Sequence, residues 1–322
     1  MSSRKKSKSK RSPPPFPWRK HSSNELRQDF LSLRERLEND KPSRTIQKPL
    51  VGYKSSNSFF QKERLRIRSQ NKPSAVDYWR ENHKYVKAYQ SNNDLFGKLT
   101  FLSFAPAQFS PYVAGMVYKY FMKRVGKSAE EFNVIDAYGG FGDRLIAAMA
   151  LGVSYRGCDA NLRLKEPYEK MMKFFKKENE EGEGVYEGVY EDVYEGVYEG
   201  IYEGIYEMSF QKSETLPNFP PKNADLFFSS PPFFTDKKSN ELVEEYPGTE
   251  GDYETFMRTS LIPIMDRCLQ AGIWVALYIP ENMYKDLKDV FGKATTILTF
   301  RAKMNNLNGV YSNSNTIYCW KK

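Results

Sequence analysis

Residues 25–40 place Leu26, Phe30, Leu33 and Leu37 at helical spacing, which predicts one amphipathic helix. Simple packing of that helix against the body is the expected role. Residues 41–75 are polar and basic, with Lys62, Arg64, Arg66 and Arg68 alternating around Leu65 and Ile67. A strand with one basic face has this pattern, and so does an edge that follows phosphates. Residues 76–98, with Tyr78, Trp79, Tyr85, Val86 and Tyr89, read as a helix. From residue 109 the alternation becomes regular. Helices are expected at 111–125, 145–151 (running into Gly152), 167–177, 256–270 and 284–290. Strands are expected at 132–135, 154–158, 224–229 and 273–279, with a closing pair at 295–303 and 315–320. Strands alternating with helices imply an α/β fold whose sheet is largely parallel and covered on both faces. The last two strands, joined by a polar loop, are expected to pair antiparallel.

Residues 184–207 are six tetrapeptides, GVYE, GVYE, DVYE, GVYE, GIYE and GIYE. A period of four matches neither a helical stripe nor a strand with one apolar face. The stretch reads as a low-complexity insert, bounded at 178–207, between the second helix and the third strand of the regular region.

Charge divides the chain further. The net charge is +9, yet residues 1–70 carry 19 Lys/Arg against 6 Asp/Glu, and residues 178–207 carry 11 acids and no base. Residues 1–24 are expected to be a disordered basic arm in which Pro13–Pro15 prevent a helix. The arm is either a solvated tail or a contact for a polyanion. No apolar run reaches ~18 residues, so no membrane span is expected, and the first twenty residues hold no apolar stretch of the kind a secretory signal needs. There are two histidines, His21 and His83, and three cysteines, Cys158, Cys268 and Cys319, with no CxxC. These counts argue against a Ser-His-Asp hydrolase, a multi-histidine metal centre and a zinc ribbon. The sparse, odd cysteine count fits a reducing compartment, and an intracellular protein, cytoplasmic or nuclear, is expected.

Three segments carry candidate chemistry. The first is Asp136-Ala-Tyr-Gly139-Gly140-Phe-Gly142-Asp143-Arg144, between an expected strand and an expected helix. Glycines there permit a tight turn and close approach of the backbone to a ligand. The second is Asp159, at the end of the next strand and 23 residues after Asp136. An acid so placed accepts hydrogen bonds from ribose hydroxyls; capping of the following helix by Asp159 or Asn161 is the alternative. The third is Ser230-Pro231-Pro232-Phe233, directly after the strand ending at Ser229. Two prolines end that strand sharply. Ser230 and a proline carbonyl can accept hydrogen bonds from an amino group, and Phe233 can stack on a flat ring.

In this order the three segments resemble the class I S-adenosylmethionine-dependent amino-methyltransferases of nucleic acids. Their signature is a D-P-F-x-G-x-G loop followed by [D/N/S]-P-P-[Y/F/W]; here Ala137 and Tyr138 replace the proline and phenylalanine. The serine form of the second motif looks most like N4-cytosine DNA enzymes, and the D and N forms are more usual in N6-adenine and N2-guanine enzymes. The stretch from Phe109 to Phe234 also looks like methylase-like proteins of large DNA viruses and phages, which would place the protein in the host cell of a virus.

The resemblance covers residues 109–322 without the repeat and implies a Rossmann-like methyltransferase domain there; it does not reach residues 25–108, where charge and periodicity lead to the expectation of a basic, partly helical substrate-binding region. It implies S-adenosylmethionine as cofactor and no metal. Phe109, Ser110 and Pro111 would line its methionine end, and Asp136, Gly139, Gly140 and Gly142 would form its loop. Asp159 would bind the ribose, and Ser213 with Glu214 would contact the adenine ring. Ser230, Pro231, Pro232 and Phe233 would hold the target base. Only about 90 residues follow this motif, so no separate target-recognition domain is expected after it. Nucleic-acid contacts would come from residues 1–108, including Lys62, Arg64, Arg66 and Arg68, or from 234–255. There Lys237 and Lys238 could touch phosphates while Glu241, Glu244 and Glu245 oppose them. DNA is the favoured partner, RNA the alternative, and a non-catalytic nucleic-acid-binding module the third reading.

Overall fold

The computed structural model describes residues 13–69, 72–86, 92–176, 204–212, 219–233, 252–302 and 315–322. Helix α1 (Ser23–Asn39) opens with a capping box. The Ser22 hydroxyl accepts from Glu25 N at 3.2 Å, and Ser22 N donates back to the Glu25 carboxylate at 2.9 Å, which satisfies two otherwise unpaired N–H groups. Its four periodic residues, Leu26, Phe30, Leu33 and Leu37, are all buried. Strand β1 (Thr45–Lys48), α2 (Tyr53–Arg64), α3 (Ala75–Val86) and α4 (Asn92–Leu102) follow.

Next come α5 (Pro111–Val125), β2 (Asn133–Asp136), α6 (Asp143–Leu151), β3 (Ser154–Cys158), α7 (Lys165–Phe175), β4 (Tyr206–Ser209) and β5 (Leu226–Ser229). The chain closes with α8 (Tyr253–Phe256), a π-helical turn (Met257–Leu261), α9 (Ile262–Gln270), β6 (Trp274–Tyr278), α10 (Glu281–Phe291), β7 (Thr296–Ala302) and β8 (Asn315–Trp320). α8, the π turn and α9 run on as the helix expected at 256–270. Pro263 lacks the N–H that an α-helical ladder would send to Thr259, and the ladder widens just before it.

The eight strands form one sheet in the order β1-β7-β8-β6-β5-β2-β3-β4. Only β8 runs antiparallel, and it lies between β6 and β7. Successive side chains enter opposite faces, as the two-residue period of a strand requires. Val134, Leu226, Phe228 and Ala276 join the cluster beneath α1, α5 and α6, while Ile135, Phe227, Val275 and Leu277 join the one beneath α9 and α10. The result is the expected α/β, Rossmann-like fold with antiparallel C-terminal strands. After β2 the chain builds β3 and β4 on one side, then returns to build β5 and β6 on the other. The crevice between β2 and β5 is therefore the topological switch point, where such sheets bind ligands outside the carboxyl ends of their strands.

Several expectations for the first hundred residues need correction. Residues 62–68 are not a strand: α2 continues to Arg64, and Leu65 and Ile67 reach the core from hydrogen-bonded turns that follow it. Residues 76–98 hold parts of two helices, not one. The boundary expected at 108/109 does not divide the core, because one apolar cluster runs from Leu26 and Leu37 to Ile317 and Cys319. β1 also adds to the sheet beside β7, pairing Ile46 with Phe300.

Residues 13–22 lie against the body. The Trp79 indole donates to the Pro14 carbonyl at 3.0 Å, the Phe16 ring packs at a tilt against Trp18, and Arg19 sits 4.1 Å over the Phe96 ring. Residues 1–12 of the expected arm lie outside the described residues. So does the repeat up to 203, but its last unit is part of the sheet: β4 pairs with β3 in parallel, with Tyr206 buried.

Leu37 is fully buried against Gly115 of α5, where a Cβ would meet its methyls at 2.5 Å. Leu37→Ala should therefore destabilise the whole fold by about 2–5 kcal/mol. Urea unfolding should show a single shifted transition; an early, separate transition of the N-terminal region would contradict a shared core.

Candidate active site

Asp136, the last residue of β2, lies buried beneath the glycine loop and not on its surface. Its Oδ2 accepts from Arg144 Nε at 2.6 Å and from the Tyr155 hydroxyl at 2.6 Å. Its Oδ1 accepts from the Ser229 hydroxyl at 2.5 Å and from Tyr138 N at 3.1 Å. Burial opposes a charge on Arg144, but the adjacent Asp136 carboxylate overrides it and pushes the pKa up, so the guanidinium stays charged. Arg144 also donates to the carbonyls of Tyr138 and of Gly139. The loop is thus tied from below by one buried ion pair with its hydrogen bonds satisfied.

The three glycines have different reasons to be there. Gly140 has φ +63 and Gly142 φ +76, values that side chains disfavour. Added Cβ atoms at Gly139 and Gly142 would strike Met208 and Phe60, respectively. The Tyr168 hydroxyl accepts from Gly142 N at 3.2 Å and donates to the Gly140 carbonyl at 3.1 Å. Burial keeps that phenol neutral by raising its pKa well above the usual value, so it can serve as both donor and acceptor.

Asp159 stands across from this loop. Its Oδ2 accepts from Gly140 N at 2.8 Å and its Oδ1 from Asn161 N at 2.9 Å. The cap of the following turn is supplied by Asn161, which accepts from Arg163 N, so Asp159 is not the cap. A carboxylate offers about four lone-pair sites, which leaves acceptor capacity for a ligand.

A cavity of about 580 Å³ opens over the switch point, within the usual range for small-molecule sites. Of the residues expected from sequence, Phe109, Ser110, Gly139, Gly140, Asp159 and all of Ser230, Pro231, Pro232 and Phe233 line it. Pro111, Asp136 and Gly142 do not line it; Asp136 is buried under the loop that does. The adjacent serines divide their work: Ser229 bonds Asp136 in the core, while Ser230 faces the cavity.

Ser213, Glu214, Lys237 and Lys238 lie outside the described residues. Lys62, Arg64, Arg66 and Arg68 are not brought to the cavity. Arg64 is buried, and its guanidinium is spent on Asn57 and the Pro106 carbonyl, so it is no phosphate contact. Arg66 and Arg68 are exposed in ion pairs with Glu63 and Asp77, which at a surface contribute little and can be exchanged for phosphate. No group of His, Cys, Asp and Glu among the described residues could hold a metal, and no described helix is long and apolar enough to cross a membrane. The three cysteines are free and buried.

Tyr278, Phe300, Lys48, Gln108 and four of the residues from 255 to 260 line the cavity without a separable signal in the sequence. Phe109, Tyr278, Phe300 and Phe233 form an aromatic wall, with ring centroids 5.4–5.8 Å apart. Tyr278 had read only as part of an apolar strand. Thr255, Phe256, Thr259 and Ser260 come from the helix that holds the π turn. Lys48 comes from β1 and Gln108 from the segment before α5. Asp143, the first residue of α6, is also buried at the cavity. Its Oδ1 accepts from Ser56 Oγ at 2.5 Å and Gln108 Nε2 at 3.0 Å. Burial pushes its pKa up to about 6 against those two hydrogen bonds, and burial likewise raises Asp159 to about 6.

No protein-family model and no curated protein matches the chain. Among solved structures it is similar to an rRNA methylase from Streptococcus thermophilus, at 13% identity over 67% of this chain and 99% of that one, with a TM-score of 0.37. It is similar to a SAM-dependent methyltransferase from Agrobacterium tumefaciens at 11% identity, over 68% and 64% of the two chains, with a TM-score of 0.39. It is similar also to the Pyrococcus abyssi tRNA (uracil-54, C5)-methyltransferase in complex with S-adenosyl-L-homocysteine, at 13% identity over 66% and 38%, with a TM-score of 0.33. Likeness this loose assigns no substrate, and none is taken from it.

The raised pKa of Asp143 has a consequence for stability. Between its unfolded value near 3.8 and its folded value of about 6, the native state binds a proton that the unfolded chain does not. Its contribution is therefore unfavourable above pH 6 and vanishes as pH falls toward 4. Asp143→Asn, which keeps an acceptor for Ser56 and Gln108, should stabilise the protein at pH 8 by on the order of 1–3 kcal/mol. The gain should shrink at pH 5; a gain independent of pH in denaturant titrations would rule out the buried charge as its cause.

Proposed function

We propose that this protein transfers a methyl group from S-adenosylmethionine to an exocyclic amino group of a nucleic-acid base. The observation that supports this most is the convergence of the Gly140–Asp159 pair and the Ser230–Phe233 segment on one cavity at the switch point. The residues present fit that cofactor. Gly140, in a left-handed conformation that side chains disfavour, lines the cavity with bare backbone, so a ligand can approach the loop closely. Asp159 has acceptor capacity for ribose hydroxyls, and the wall of Phe109, Tyr278 and Phe300 is apolar and aromatic.

When bound, S-adenosylmethionine supplies an electrophilic methyl group on a sulfonium. The protein's part is then positioning, which can account for much of the rate of such a transfer. Ser230 Oγ and the Pro231 carbonyl accept hydrogen bonds from the target amine and aim its lone pair. The two prolines hold those acceptors rigid. Phe233, edge-on to Tyr278 at 5.6 Å, offers a face on which an extruded base can stack. As the C–N bond forms and the methyl's C–S bond breaks, the amine loses one proton, which passes the same two acceptors to solvent. The S-P-P-F form of the segment favours cytosine N4 of DNA as the acceptor, with adenine N6 of DNA as the second choice. Exposed Lys62, Arg66 and Arg68 supply phosphate contacts away from the reacting atoms.

The test is transfer of labelled methyl to unmethylated DNA and to total RNA in parallel, followed by nucleoside analysis. N4-methylcytosine or N6-methyladenine in DNA is expected; label in RNA alone would move the acceptor to RNA. Ser230→Ala and Phe233→Ala should each lower the rate at least a hundredfold while S-adenosylhomocysteine still binds. Full rates in both variants would remove the segment from the reaction.

A further inference from the structure

The cavity is lined by two opposite charges, Lys48 and Asp143, that feel each other's field without forming an ion pair at contact distance. Lys48 reaches it from β1 and Asp143 from the start of α6. The Lys48 ammonium is partly buried, 5.8 Å from the Tyr53 ring centre and 5.9 Å from that of Phe300. Among the described residues it has no hydrogen-bond or ion-pair partner, so its three N–H donors are unspent. Asp143 is almost wholly buried; both of its donors, Ser56 and Gln108, go to Oδ1. Oδ2 has no donor among the described residues. The two other cations on the cavity wall are engaged: Arg144 with Asp136, and Lys212 in a contact of its own.

A half-buried ammonium and a buried carboxylate, each with hydrogen-bonding capacity open to the cavity, gain when a ligand completes them. The ligand must suit both signs. A lone anion would gain from Lys48 and be repelled by Asp143, and a lone cation would meet the reverse. A zwitterion with its two charges on adjacent carbons satisfies both. We propose that Lys48 and Asp143 together bind the α-amino-acid end of the cofactor, Lys48 its carboxylate and Asp143 its ammonium; this rests on the reading under Proposed function. The N-terminal region is then a working part of the cofactor site. β1 supplies Lys48, α2 supplies Ser56, and Gln108 with Ser56 holds the Asp143 carboxylate in place.

The proposal is tested by calorimetric binding of two ligands to the full chain, without turnover. S-adenosylhomocysteine keeps the amino-acid end; 5′-methylthioadenosine keeps the adenosine and the sulfur but lacks it. The wild-type protein should bind the first at least tenfold more tightly. Lys48→Met and Asp143→Asn should each weaken S-adenosylhomocysteine tenfold or more and leave methylthioadenosine unchanged, with Lys48→Arg recovering part of the loss. Thermal melts keep the comparison to folded protein, and two variants on separate elements guard against one that fails to fold.

Unchanged S-adenosylhomocysteine affinity in both folded variants would overturn the proposal, as would equal losses for the two ligands. Loss of DNA affinity in Lys48→Met with S-adenosylhomocysteine untouched would assign the lysine to a substrate phosphate and overturn it too. Binding of neither ligand by the wild-type protein would remove the cofactor reading, and this inference with it.

Discussion

The buried pair of Asp136 and Arg144 is the constraint on which the site depends. Both groups are out of solvent, where unpaired charges would be prohibitive. Each is saturated by neighbours from different parts of the chain. Asp136 takes donors from α6, from Tyr155 on β3 and from Ser229 on β5. Arg144 turns two loop carbonyls inward. The loop between β2 and α6 is therefore fastened to both neighbouring strands at once. Removing one partner would leave the other charge buried and alone, a change that typically costs about 3–5 kcal/mol.

That fastening explains why the cavity forms where it does. With Asp136 held below the sheet edge, the residues after it have room only to turn back over β3 and β5. Tyr168 props the turn from the α7 side, and Asp159 holds Gly140 N from the end of β3. On the other flank Ser229 is drawn into the core, so Ser230 and the prolines after it emerge at the rim. Positions that look alike in the chain thus come to face opposite ways: Ser229 in and Ser230 out, Asp136 in and Asp143 toward the cavity.

Asp143 illustrates a tension common at functional sites. Its burial disfavours the charged form, yet its surroundings are polar and its second oxygen is spare. Proteins keep such groups at some expense in stability when a ligand uses them. The side chains that steady it, Ser56 and Gln108, come from the first 108 residues. They share a core with the sheet and add β1 to its edge.

Much of this was legible in the residues themselves. From Pro111 to Trp320 the periods of apolar positions marked most of the helices and strands, because each element buries one face or both, and Gly152 marked a helix end, where the structure shows a left-handed backbone. The motif segments at 136–142, at 159 and at 230–233 stood at strand ends, which is enough to bring them to one edge of a parallel sheet. Alternation misled at Arg64–Arg68, since two apolar residues in a turn reach a core as well as two in a strand do. The last tyrosine repeat gave no sign that it would become β4, because an edge strand needs only a neighbour to pair with. The sequence alone determined the α/β class and which strand ends hold the motif segments that line the cavity, as these follow from local periodicity and turn residues. Tertiary structure alone decided that Arg64 is internal, that Asp136 supports and does not line, and that Lys48 and Asp143 meet one cavity from elements almost a hundred residues apart. Burial and pairing over such distances depend on the packed sheet and leave no local pattern in the chain.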